Sequence, residues 1–182
     1  MTKSAPMTKA ARLAALALTM MPLAAVGAAN LAIARTTTVV GDPLGLVKPR
    51  MLPGVALDVA LTITNPLDNL LKPVRQVTIS DVVPAGTAMR VSDLVQSGRG
   101  PVEFMDGDLL ALGLTGSGLG YRYVALRDPG DDLQFFDGST WNYQPTADAA
   151  GYDAKVRGVR VTLGGTQATG GSFRLRYRTI VR

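Results

Sequence analysis

From Val55 to Thr64 apolar side chains take every second position. Val55, Leu57, Val59, Leu61 and Ile63 fall on one face of an extended chain, and Asp58, Thr62 and Thr64 fall on the other. Successive side chains of a strand point to opposite faces, so a period of two predicts a strand with one face buried. The same period recurs in "RQVTISDVV" (75–83), in "GVRVTL" (158–163) and in the closing "SFRLRYRTIVR" (172–182). "LAIARTTTVV" (31–40) is a β-branched run that ends in the turn material "GDPLG". "LGYRYVAL" (119–126) alternates as well, and "TAMRVSDL" follows the turn "PAG". "VEFM" and "LLALGL" flank the hairpin signal "DGD", while "LQFF" (133–136) and "TWNY" (140–143) flank "DGS". Only "TADAAGYDAK" (146–155) hints at a helical turn, which Gly151 should end. About nine to eleven short strands at this spacing predict an all-β, immunoglobulin-like antiparallel sandwich. Its expected core is Leu57, Val59, Leu61, Val77, Ile79, Val159, Val161, Leu175 and Tyr177.

The connections have their own chemistry. Pro84-Ala85-Gly86 suits a tight turn, because Pro presets φ and Gly accepts positive φ. Asn65-Pro66 should end its strand, since Pro cannot donate to a ladder. Asp81, just before the turn, is expected to cap backbone amides.

Composition removes most catalytic options. The 182 residues contain no Cys and no His, which excludes a thiol nucleophile, an imidazole base and the usual zinc or haem ligand sets. No cofactor is expected. The first residues have the pattern of an export signal: Lys3, Lys9 and Arg12, then apolar Leu13 to Val26, then small residues in "GAAN". A membrane anchor needs about 20 apolar residues, and this stretch is shorter and interrupted by Pro22. The reading is therefore a cleaved leader at 1–29 and one sandwich domain at 30–182, without stable membrane insertion. The expected location is the periplasm, the cell surface or the extracellular space. A 150-residue core manages without disulfides. Loss of Lys3, Lys9 and Arg12 leaves 16 basic residues against 14 acidic, a net +2 in place of +5. That small charge, with no recognised motif, argues against a nucleic-acid partner.

Three short motifs carry a resemblance. Pro53-Gly54, then Thr62-Ile63-Thr64-Asn65, then Asp81-Val82-Val83-Pro84-Ala85-Gly86-Thr87 follow one another as in the conserved-repeat domain of bacterial surface proteins. The later "FFDGSTWNYQPTADAAGYDAKVRGVRV" resembles the C-terminal portion of small exported relatives. The resemblance covers roughly residues 31–182. It implies an immunoglobulin-like module of secreted or wall-associated proteins, of unassigned function. This chain departs in holding a single copy, and in "NPLDN" where relatives often have a Gly-containing turn. A stalk of tandem copies within one chain is therefore not expected.

Charge is unevenly spread. From Glu103 to Asp153 nine acidic residues stand against Arg122 and Arg127, whereas 155–182 holds seven basic residues and no acid. Within that basic end Arg174, Arg176 and Arg178 line one face of the last strand. They form the candidate contact for an anionic ligand or for another subunit. Two arrangements are open: the arginines pair with an acidic neighbouring strand, at about 0.2–1 kcal/mol per cross-strand pair, or they face solvent as a cationic strip for acidic glycan. "DPGDDLQFFDG" (128–138) offers Asp128, Asp131, Asp132 and Asp137 as calcium oxygens, but its spacing fits no EF-hand or repeat-type loop and turn formation explains it better. Nothing fixes two acids at a glycosidase separation, so no enzyme is expected. Trp141 beside Tyr143, with Phe135, Phe136, Tyr121 and Tyr123, reads as core and rim rather than a sugar platform. The expectation is a non-catalytic structural or interaction module of the bacterial envelope or of an extracellular assembly, the alternative being an anionic-glycan binder. Partners are other envelope proteins or the chain itself. Self-assembly could run head-to-tail, or by lending the strand at 31–40, which a long Pro- and Gly-rich connection separates from the next.

Overall fold

The computed structural model describes residues 30–46, 50–70, 73–107 and 115–182. The proposed leader at 1–29 lies outside them. The described residues form two β-sheets packed face to face, the all-β sandwich expected from the alternation. The larger sheet is built on β2 (Ala56–Thr64) and β11 (Gly171–Val181), antiparallel from Thr64↔Ser172 to Ala56↔Ile180. β1 (Ala32–Gly41) pairs with the far side of β2, from Ala32↔Thr64 to Gly41↔Ala56. The other side of β11 is taken in turn by β4 (Thr87–Arg90), β5 (Val102–Asp106) and β6 (Thr115–Gly116), with β9 (Tyr152–Asp153) beside β4. The β6 pairing is parallel and the others are antiparallel. The smaller sheet centres on β10 (Gly158–Gln167), flanked on one side by β3 (Val74–Val82) and on the other by β7 (Leu119–Gly120) and β8 (Leu133–Phe136).

Period two explains the core. All nine residues expected inside are buried, and Phe173, Ile63, Met89 and Leu163 join them at full burial. Close approach elsewhere depends on small residues. A Cβ on Gly107 would run into the backbone oxygen of Thr115 and lie 2.7 Å from that of Ser172, so only glycine lets the chain leave β5 there. The Pro84–Thr87 turn forms as expected, with Gly86 at φ +73° and the Thr87 hydroxyl donating to the Pro84 carbonyl at 2.7 Å. β2 stops at Thr64, before Asn65-Pro66.

Several expectations need correction. Asp81 does not cap amides. Its carboxylate receives Arg35 Nε (3.1 Å) from β1 and the Tyr177 hydroxyl (2.7 Å) from β11, and so ties the two sheets together at one edge. Only Leu119–Gly120 of "LGYRYVAL" is strand, because the next residues bend over the Asp131 and Asp132 carboxylates, which take the amides of Arg122, Val124 and Ala125. Residues 146–155 contain no helix. Asp148 accepts the amides of Ala150 and Tyr152, Gly151 has φ +87°, and a tight turn leads into β9. "TWNY" meets β8 through the single bridge Phe135↔Tyr143. The segment "LLALGL" lies outside the described residues.

Candidate functional site

The odd-numbered residues of β11 enter the core, so Arg174, Arg176 and Arg178 share the outer face of the larger sheet. Register sets what stands beside them. On β2 they face Thr62, Ala60 and Asp58; on β5, Arg174 faces Met105 and Arg176 faces Glu103. The β2 outer positions are otherwise small, namely Ala56, Ala60, Thr62 and Thr64. The long guanidinium side chains therefore fold over them and cover Asp58.

Asp58 is the centre of the cluster. Its side chain is only 6% exposed, although it points away from the core. One oxygen accepts Arg178 Nε at 2.6 Å, and the other accepts Arg178 Nη2 and Arg176 Nη1, each at 3.0 Å. Arg176 Nε donates to Glu103 Oε2 at 2.7 Å. Two arginines and two carboxylates thus close a neutral group, and the hydrogen bond to Asp58 raises the Arg178 guanidinium further above its ordinary value. Arg174 is held differently, with Nη2 3.0 Å from the Met105 sulfur and a buried Nε that has no hydrogen-bond partner among the described residues. Of the three candidates, Arg176 and Arg178 are brought together around one acid and Arg174 stands apart.

The acid that matters most was missed from sequence. Asp58 lies far upstream of the acidic 103–153 segment that the charge pattern singled out, and among the described residues of that segment only Glu103 reaches the strip. A usable signal existed: Asp58 is the one charge on a polar face of otherwise small Ala and Thr residues. Asp148 does join the acidic segment to the basic end through Arg182.

The Asp-rich loop behaves as turn chemistry. Asp128 accepts the Gly130 amide, Asp131 those of Val124 and Ala125, Asp132 that of Arg122, and Asp137 those of Ser139 and Thr140. The Asp137 carboxyl is lowered by the Thr140 amide first and that of Ser139 next. Among the described residues no three acidic side chains converge to hold a metal ion. Trp141 is stacked on Phe136 at 4.9 Å and has the Arg160 guanidinium carbon 3.8 Å from its ring centre. The Tyr143 hydroxyl donates to Asp153, and burial first, then that bond, push it up to about 12.

Among the described residues, clefts of about 320 and 270 Å³ lie on the surface, with a more open hollow of about 490 Å³ where Asp148 holds the Tyr152 amide and Arg182, and Asp153 holds the amides of Thr146 and Lys155. Glu103 is the one carboxylate in the first, and Arg176 engages it. Asp128 and Asp131 line the second, and both are committed to backbone amides. Among the described residues no helix is long and apolar enough to cross a membrane. Comparisons with family models, with curated proteins and with solved structures gave no match.

Proposed function

We propose that this chain is a non-catalytic interaction module of the bacterial cell envelope or of an extracellular assembly, exported by the leader at 1–29. The observation that carries this reading is the edge of the larger sheet. β1 exposes seven consecutive residues, Ala32 to Thr38, and has no strand on its outer side among the described residues. Unpaired edge backbone is a template for another strand. The cleft carboxylates support the same reading, because Asp128, Asp131 and Glu103 each have at least one oxygen engaged by a backbone amide or an arginine. The likeness to conserved-repeat modules of surface proteins, carried by Pro53-Gly54, Thr62–Asn65 and Asp81–Thr87, agrees with the location.

Binding of anionic glycan through the arginine strip is the weaker reading. It retains Arg174 alone, since Asp58 and Glu103 neutralise Arg176 and Arg178. Cell fractionation with intact-mass and native-size measurement tests the proposal. The expected species is exported, begins at Ala29 or Asn30, and migrates in native extracts above the size of one chain. A species that keeps Met1 in the exported pool, or that migrates there as a single chain at its native level, would overturn it.

A further inference from the structure

Natural sheets blunt their edges with shortness, bulges, proline or charge. The other edges of this sandwich use such devices. β9, β7 and β6 are two residues long, β8 is four, and the five-residue β5 carries Glu103 and Asp106. β3 carries Arg75 and then Gln76 at φ +52°, where its register against β10 slips between Leu163 and Thr166. β1 is the longest of these edges, and along its first eight residues Arg35 is its one such device. It is ten residues long, holds no Pro and no Lys, and breaks register only between Val39 and Gly41. Its single charge, Arg35, is turned across the sandwich to Asp81. Ile33 and Val40 remain 56% and 45% exposed.

We propose that the free edge of β1 pairs antiparallel with β1 of a second copy, running the larger sheets of the two molecules into one. This rests on the interaction reading above and names its partner. The strand's own sequence selects the second copy. Symmetry about an axis normal to the sheet keeps each copy's core face on the same side, so partners across the junction must both be odd-numbered or both even-numbered. With the axis at Thr36, Ile33 meets Val39, Ala34 meets Thr38 and Arg35 meets Thr37, all of them before the register break that follows Val39. Exposed Ile33 gains an apolar neighbour, and no like charges oppose. An axis at Arg35 would set two guanidiniums face to face, and one at Thr37 would set Ile33 against Gly41.

The chain has no Cys, so one introduced thiol reports the register without interference. In full-length T36C the two thiols would face each other across the axis, with Cα atoms about 4.5–5.5 Å apart, within disulfide reach. In T38C, on the same face, they would be displaced by four residues, about 13 Å. Mild oxidation should yield a covalent dimer of T36C and leave T38C single. Equal cross-linking of both, or of neither, would overturn the proposal. Light scattering of the unmodified chain provides a second measurement. Its mass should rise toward two chains with concentration, T36K and T36E should each lose that rise, and an equal mixture of the two should recover it. A single-chain mass at every concentration would also overturn it. In that case a larger native species in extracts would leave the interaction reading standing with a different partner.

Discussion

Replacing Asp58 with Asn removes the charge at the centre of the arginine cluster while keeping nearly the same volume. The 6%-exposed carboxylate accepts three guanidinium hydrogen bonds at 2.6–3.0 Å. The amide can accept fewer, and its NH2 would point donors at donors. Breaking a buried ion pair by removing one partner costs about 3–5 kcal/mol. Arg176 and Arg178 are 27% and 28% exposed, and Arg176 keeps Glu103, so water and Glu103 recover part of that loss. The expected cost is about 2–3 kcal/mol. Urea denaturation followed by circular dichroism measures it. With a slope of about 2 kcal/mol/M, the midpoint should fall by about 1–1.5 M at unchanged slope. R178K keeps the positive charge but loses the two-pronged contact, and should cost about 1 kcal/mol. A loss under about 0.5 kcal/mol in D58N would place the cluster with ordinary surface ion pairs and refute this reasoning.

Three further outcomes follow from the packing. L61A empties a site that is 6% exposed in the shared core and should lose about 2–5 kcal/mol in the same denaturation experiment; a loss below about half a kcal/mol would mean that Leu61 does not face the core. G107A drives a methyl into the backbone of Thr115 and Ser172 and should cost about 1–3 kcal/mol by urea midpoint, where a neutral result would contradict the close approach. Asp106, Asp137 and Asp148 all hold their protons less tightly than in an unfolded chain: burial opposes this at Asp106 but the Ser117 and Gly107 amides outweigh it, and amides of Thr140 and Tyr152 lead at the other two. Depressed carboxyl values contribute stability above the unfolded value of about 3.9, which is lost as pH falls through the folded values, so the melting temperature should drop steeply below about pH 4. A melting temperature that rises on acidification through that window would reverse the sign.

Alternation made the core legible because each long strand keeps one buried face. Leu57, Val59 and Leu61 on β2, and Leu175 and Tyr177 on β11, could be assigned inward with no knowledge of pairing. Pairing itself was not legible. Which acid meets Arg178 depends on β11 lying against β2 in the register Arg178↔Asp58, a contact between residues 120 positions apart. Local charge pattern pointed instead to the acidic 103–153 segment, where Glu103 alone among the described residues reaches the strip. The irregular 121–132 stretch misled for a related reason. Its alternating side chains suggested a strand, while the Asp131 and Asp132 carboxylates took the amides a ladder would have used. Asp81 looked like a turn cap because its partners, Arg35 and Tyr177, come from distant strands.

The neutralisation of Arg176 and Arg178 is tested most directly by polyanion binding of the unmodified chain and D58N, side by side, across a salt series. If Asp58 and Glu103 together neutralise Arg176 and Arg178, the unmodified chain should release the polyanion at low salt. D58N should hold it to higher salt with a steeper salt dependence, because two guanidiniums lose their shared acid. Tight, salt-sensitive binding by the unmodified chain that D58N leaves unchanged would contradict this. The arginines would then already be available, and the strip would be a binding surface rather than part of the sheet's own structure.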